Sequence, residues 1–322
     1  MTVQGNSRTR LDGPPLPHLV AVVGPTAVGK SELAVRLCEV FEGEILSADS
    51  RLVYRGMDIG TAKPSREERM RIPHHLVDVT DIDQPWSLAL YRARALHEIE
   101  GVLFRHHLPI LAGGTGQYVH AILEGWEIPP APPDLQLRRE LEQRARSDGG
   151  RALHEELERR DPRAAASIDA RNVRRTIRAL EVVLGTGEPF SSLRTHGPVS
   201  FLSLQIGLTR PRQELYARAD RRIDEMLERG WVREVQDLLD RGFSPDLPAF
   251  SALGYGQIIE YLRGSLTMEE CVAAIRQATR RLIRHQSNWF RPDDPQIHWI
   301  QAGAVAFEEA SQLVAKFLAG ST

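Results

Sequence analysis

Cysteine is scarce in this chain: 322 residues contain two, Cys38 and Cys271. They lie far apart, in no C-x-x-C pair and beside no histidine-rich partner, which excludes a disulfide framework and a structural zinc site and predicts a reducing, cytoplasmic setting. No apolar run approaches the length of a membrane span. Residues 1–17 are polar and rich in Gly and Pro, lack the apolar centre of a secretory signal, and read as a disordered extension. An excess of either charge is also missing. With 41 Lys and Arg against 43 Asp and Glu, net −2, the chain is no polybasic nucleic-acid binder, so any such partner must be held by local patches. There is no internal repeat. What is present, 42% hydrophobic residues, suffices for a sizeable core in one large domain or two modest ones.

The most specific feature that is there begins at His18. An apolar run to Val23 reads as a buried strand, and it feeds into Gly24-Pro25-Thr26-Ala27-Val28-Gly29-Lys30-Ser31, the G-x-x-x-x-G-K-[ST] loop that opens a helix. The glycines let backbone N–H groups turn inward around phosphate oxygens. Lys30 brings a positive charge to the distal phosphates, the Ser31 hydroxyl can hold Mg²⁺, and the helix start adds its dipole. Kinases, NTPases and other phosphate-handling transferases all use such a loop, so the motif places phosphate without naming the reaction.

Further strands are predicted at Gly43–Asp49, Leu108–Ala112 and Phe201–Gly207, with a helical crossover over Tyr91–Phe104. In an open α/β sheet, ligands bind at the strands' carboxyl ends, where Asp49 and Gly113-Gly114-Thr115-Gly116 fall. The composition changes at Glu127-Ile128-Pro129-Pro130-Ala131-Pro132-Pro133, a stiff proline hinge, and to about Gly187 only helical periodicity follows. Long helices are expected at 212–229, 232–240 and 268–290. The fold class is therefore α/β: a P-loop kinase-like core over 18–126 and 200–322, a parallel sheet with helices on both faces, and an inserted all-helical domain over 127–199.

Several residues stand out as chemistry. Asp49 sits one strand after the phosphate loop, where a carboxylate can accept a proton or hold Mg²⁺ through water; a helix N-cap is the alternative reading. Thr115 is a candidate substrate contact, with a tight strand-to-helix turn as its alternative. The turn-rich stretches 56–64 and 72–76 read as a site-covering loop, and the adjacent His74 and His75 as structural, since neighbouring side chains point apart. Val173, Ile177, Leu180 and Leu184 form one apolar stripe, leaving Arg171, Arg174, Arg175 and Arg178 on the opposite face. A second basic cluster contains Arg276, Arg280, Arg281, Arg284, His285 and Arg291, and its mutual repulsion suggests an anionic partner. Arg218, Arg221 and Arg222 are further candidates for reaching phosphate. For both clusters a solvated face with salt bridges is the alternative.

Taken together, GPTAVGKS (24–31), SADSRLVYRGMDIGTAKP (47–64), IPHHL (72–76), GGTGQY (113–118), RRTIRALEV (174–182) and TRRLIRHQSNWFR (279–291) resemble the bacterial tRNA dimethylallyltransferase (tRNA isopentenyltransferase) family across nearly the whole chain after residue 17. The resemblance implies transfer of a dimethylallyl group from its diphosphate to N6 of adenine 37 in tRNAs reading codons that begin with U, in a protein with no obligate protein partner. It implies that residues 24–31 hold the diphosphate with Mg²⁺ at Ser31. Asp49 becomes the general base, Thr115 a contact near the reacting centre, and Arg218 a cation for the leaving pyrophosphate. It also implies tRNA contacts along the anticodon stem-loop from Asp49, Ser50, Arg51 and Leu52, from Arg174, Arg175 and Arg178, from the segment 250–255 with Gly254 and Tyr255, and from the segment 280–287 with Arg280, Arg281 and Arg284. The chain departs from the family pattern at Gly256-Gln257, where Lys or Arg followed by Glu is commoner, and at Ile283 and Arg284-His285. Three other readings compete: a P-loop phosphotransferase, a prenyltransferase acting on free adenine nucleotides, and a non-catalytic RNA-binding protein.

Overall fold

The structure is a computed structural model that describes residues 16–128, 134–192 and 195–320. The expected disordered extension, up to residue 15, and residues 129–133 of the proline hinge lie outside the described residues.

The strands are β1 (His18–Val23), β2 (Gly43–Ser47), β3 (His74–His75), β4 (Leu108–Gly113), β5 (Trp126–Glu127), β6 (Thr195–His196), β7 (Leu202–Thr209) and β8 (Ile297–Gln301). Within the described residues, six of them form one sheet in the order β3-β2-β4-β1-β7-β8, every neighbouring pair parallel. The helices run α1 (Lys30–Phe41), α2 (Arg66–Arg71), α3 (Leu88–Phe104), α4 (Gly116–Leu123), α5 (Leu135–Ser147), α6 (Gly150–Arg160), α7 (Pro162–Ser167), α8 (Val173–Thr186), α9 (Arg212–Glu228), α10 (Trp231–Asp240), α11 (Tyr255–Leu262), α12 (Met268–Gln286) and α13 (Ala306–Leu318).

A strand side chain alternates between faces, so an unbroken apolar strand must be covered twice. In β1, Val20 and Val22 pack with Leu33 and Leu37 of α1 and Val314 and Phe317 of α13. Leu19, Ala21 and Val23 pack on the other face with Tyr91 and Ile99 of α3 and Ile122 of α4. A third cluster joins α9 to α12 around Trp231 and Tyr255. Helices α5 to α8 have a core of their own, built on Leu141, Leu153, Leu157, Ile177 and Leu180. The short antiparallel pair β5–β6 stands at the two ends of that helical segment.

Some elements differ from expectation. β7 runs two residues past Gly207, and α12 stops at Gln286, four residues short. β3 spans two residues and carries no legible period. β8 is an edge strand whose burial is intermittent, with His298 and Gln301 exposed, so its pattern is diluted. α2 is announced by a capping box in which Ser65 and Glu68 satisfy each other's N–H groups.

His75 is structural, as its sequence context suggested. Its Nε2 meets Glu44, a β2 carboxylate with 2% side-chain exposure, and its Nδ1 lies 3.0 Å from Glu98. Glu44 also accepts two hydrogen bonds from Arg105, at 2.8 and 2.7 Å, and lies 2.7 Å from His107 Nδ1. The Arg105 bonds, with smaller help from His75 and His107, outweigh burial and hold the Glu44 carboxyl down to about 2. A carboxyl depressed on folding stabilises the protein above its unfolded pKa and loses that contribution as pH falls. The difference in thermal stability between the wild type and Glu44→Gln should therefore be present at about pH 6 and shrink below about pH 5. Thermal melts across that range check it, and a constant difference would show that the carboxylate's charge is not what stabilises this edge.

Candidate active site

The phosphate loop leaves β1 at Gly24, whose φ is 140°. A side chain there would be strained and would also place its Cβ 2.6 Å from the Leu208 carbonyl of β7. The loop's carbonyls are tied outward by cations. Lys30 Nζ donates to Pro25 O at 2.8 Å, Arg218 Nε to Ala27 O at 2.9 Å, and Arg210 Nε to Val28 O at 3.0 Å. Burial draws the Lys30 ammonium down to about 8, opposed by the Asp49 charge and assisted by Arg222. Burial likewise lowers Arg222. Cations crowded and desolvated around a loop that opens a helix are costly until an anion arrives, which is the electrostatic signature of a phosphate site.

Beyond β2, Asp49 Oδ1 accepts the Arg51 N–H at 2.8 Å, so the carboxylate does organise its own turn. It also lines the site, and the N-cap reading is corrected: no helix begins here, the next one starting at Arg66, so the carboxylate caps a turn and not a helix. The Asp49 turn is laced to the loop after β4. Ser50 N–H donates to Thr115 Oγ1 at 3.2 Å, and Thr115 N–H donates to Ala48 O at 3.1 Å. The close approach depends on Gly113, where an added Cβ would lie 2.2 Å from Ala48 O.

Two cavities meet here. One, about 740 Å³, follows the phosphate loop past Lys30, Ser31, Arg218 and Arg222, with Leu52 and the turn Gly60-Thr61-Ala62 in its wall. The other, about 880 Å³, is bounded by Ser50, Thr115, Phe250, His285 and Trp289. Thr26, Asp49, Arg51 and Gly114 line both. Among the described residues, no cluster of three or more His, Cys, Asp or Glu could cage a metal. The donor set at Ser31, a hydroxyl next to a phosphate cradle, fits a Mg²⁺ ion that takes its other oxygens from phosphate and water.

The arginine clusters divide. Arg276 Nη2 pairs with Asp224 at 2.6 Å and Arg280 Nη2 with Asp220 at 2.5 Å, so acids from α9 relieve the repulsion expected along α12. Arg281 and Arg284 stay exposed, Arg284 within 3.3 Å of the Tyr216 hydroxyl. On α8, Arg174 and Arg175 are exposed, whereas Arg178 pairs with the buried Glu181 at 3.1 Å alongside Arg138. Arg171 forms a two-pronged bond with Asp169. Tyr255 is corrected as a surface contact: its side chain is fully buried against Trp231 and donates to Glu234 Oε1 at 2.6 Å, and Gly254 packs under the Trp231 ring. A Gly-Tyr pair at a helix start reads as well for packing as for RNA, and packing is what it does here. Gln257 is engaged too, its Oε1 accepting the Gly254 N–H at 3.0 Å. The loop 56–64 is pinned from beneath by Glu234, which accepts N–H groups of Asp58, Ile59 and Gly60. Sequence reading missed Arg210, which is signalled only by its place directly after β7, and placed Gln286 only within the RNA-contacting segment 280–287, not between two loops.

Comparison with known proteins agrees with this architecture. Residues 52–293 match the family described as IPP transferase. The chain is 52% identical over 273 residues to a tRNA dimethylallyltransferase of Thermomicrobium roseum, covering 85% of this chain and 83% of that one. It is 44% identical over 306 residues to one of Dehalococcoides mccartyi, covering 95% and 94%. The crystal structure of the full-length tRNA isopentenylpyrophosphate transferase of Bacillus halodurans superposes with a TM-score of 0.68 at 40% identity, covering 94% of this chain and 96% of that one.

The Lys30 environment has a measurable consequence. A cation whose proton is lost above about 8 binds an anion best below that pH. The affinity for inorganic pyrophosphate should weaken as pH rises past 8 in the wild type, and weaken less in Lys30→Arg, whose charge persists. Calorimetric titration at several pH values checks this, and parallel profiles for the two proteins would remove the ammonium from the anion site.

Proposed function

The chain belongs to the IPP transferase family of tRNA dimethylallyltransferases, and on that premise we propose that it transfers the dimethylallyl group of dimethylallyl diphosphate to N6 of adenine 37. The substrates are tRNAs reading codons that begin with U, the products N6-(dimethylallyl)adenosine and pyrophosphate. The observation that carries this reading is the position of Asp49 at the junction of two cavities, one with a phosphate cradle and one without. A phosphotransferase would also need an acceptor pocket beside a base, so the preference for prenyl transfer rests on this geometry together with the family.

In the proposed reaction the N6 lone pair attacks the allylic carbon as that carbon's bond to the diphosphate oxygen breaks, and the bonding pair leaves with pyrophosphate. Asp49 takes the N6 proton and passes it to solvent. An exocyclic amine is a weak nucleophile, so alignment and stabilisation of the departing charge must supply most of the acceleration. Lys30, Arg218, Arg222 and the loop N–H groups face that charge, and Mg²⁺ with Ser31 would neutralise part of it. Thr115, bonded to the Asp49 turn, holds the base loop in place. The adenine reaches Asp49 by leaving its loop and entering the 880 Å³ cavity, which has room for a flipped nucleotide. The anticodon stem-loop would lie against the exposed Arg281, Arg284, Arg174 and Arg175. The proposed enzyme acts as a monomer, without an obligate protein partner.

Incubation with Mg²⁺, dimethylallyl diphosphate and an unmodified tRNA carrying A36-A37-A38, followed by mass spectrometry of the nucleosides, tests the proposal. Prenylated A37 is expected, and Asp49→Ala should lower turnover by about 10²–10⁴-fold with little change in tRNA affinity. ATP consumption without prenyl transfer would favour the phosphotransferase. Removing Arg174 and Arg175 should weaken tRNA binding and reduce its salt slope by about one unit per arginine, leaving diphosphate affinity unchanged. An unaltered slope would assign those side chains to solvent.

A further inference from the structure

Gln286, the last residue of α12, is 7% exposed and joins two loops that are remote from it in sequence. Its Oε1 accepts the Thr26 N–H of the phosphate loop at 2.8 Å, and its Nε2 donates to the Gly114 carbonyl at 3.1 Å. Thr26 and Gly114 follow β1 and β4, which are adjacent parallel strands, so one amide spans the gap between their carboxyl ends. The polarity is matched. Thr26 presents a donor and Gly114 an acceptor, and a primary amide answers both from one uncharged planar head. The fit at Gly114 is close enough that a Cβ there would lie 2.3 Å from Gln286 Nε2.

The connection continues to the base. Gly114 precedes Thr115, whose hydroxyl accepts the Ser50 N–H next to Asp49. His285, in the last turn of α12, and Trp289, just beyond its end, line the acceptor cavity. Gln286 lines that cavity too, but its amide oxygen and one of its N–H groups are committed to Thr26 and Gly114.

We propose that Gln286 is a positioning residue that sets the spacing between the donor's diphosphate loop and the Asp49 base loop, an inference that rests on the prenyl-transfer reading. It acts through Thr26 and Gly114 and touches no reacting atom. Its loss should therefore slow the chemical step more than it weakens either substrate's binding.

Gln286→Glu and Gln286→Met test this by steady-state kinetics with both substrates, each variant's thermal midpoint being measured alongside. In Gln286→Glu at about pH 8, a carboxylate faces the Gly114 carbonyl, and kcat is expected to fall about 10²-fold with KM for tRNA within about threefold of wild type. On acidification toward about pH 5.5 the carboxyl takes up a proton, regains one donor and one acceptor, and the variant's kcat relative to wild type should rise about tenfold. Asp49, Arg51, Glu260 and His285 line the same cavity and are present in both proteins, so the ratio cancels their own titration. Gln286→Met should stay slow at every pH. Wild-type kcat in Gln286→Met, a flat ratio for Gln286→Glu, or a loss confined to KM for tRNA would each overturn the proposal, the last by making the residue an RNA contact. Should the Met variant fail to fold, the near-isosteric Glu variant decides alone. An inactive wild type would sink the prenyl-transfer reading, whereas an active wild type with unaffected variants sinks only this inference.

Discussion

The loops after β1, β2 and β4 approach one another so closely that their backbones are in contact, and this proximity organises everything else at the site. Gly113 lies against the Ala48 carbonyl, and the Gln286 amide links Thr26 to Gly114. Parallel strands deliver their carboxyl ends to one edge of the sheet, but a side chain at Gly113 would hold the loops after β2 and β4 apart. Once the loops touch, the phosphate cradle, the Asp49 turn and Thr115 become parts of one hydrogen-bonded surface.

Electrostatics then separates the two sides of Asp49. On the cradle side, Lys30, Arg210, Arg218 and Arg222 converge, with the loop's own carbonyls absorbing part of their hydrogen-bonding capacity. On the other side the walls include Phe250 and Trp289, while Ala252, Leu253 and Leu282 line both cavities. In the proposed reaction the dianion takes the cationic side and the base the aromatic side, with the carboxylate between them. The helix pair α9 and α12 supports both compartments. The ion pairs Arg276–Asp224 and Arg280–Asp220 clamp the helices together. α9 thereby aims its arginines at the cradle while α12 walls the acceptor side.

The central elements could be read from sequence because their signals are local. The buried run of β1 followed by the glycine-lysine loop, the β2 run ending on Asp49, and the stripe on α8 all reappear with small shifts in their bounds. What escaped was set by distant partners. Arg280 and Arg276 read as free cations until α9 supplied their acids, and Tyr255 read as a surface contact until Trp231 and Glu234 enclosed it. Gln286 carried no motif of its own within a run of arginines, because its two partners lie 260 and 172 residues away. β3 and β8 were invisible for a different reason: one is too short for any period to register, and the other is an edge strand whose buried Ile297 and Ile300 are interrupted by exposed His298.

Helices α5 to α8 close around leucines and isoleucines of their own and do not borrow a face of the sheet. Their cohesion is thus largely decoupled from the geometry at Asp49. Substitutions among their outward residues, or a turn added to one of them, can reshape that surface without disturbing the floor around Asp49. Substrate choice and chemistry can in this way drift independently within one polypeptide.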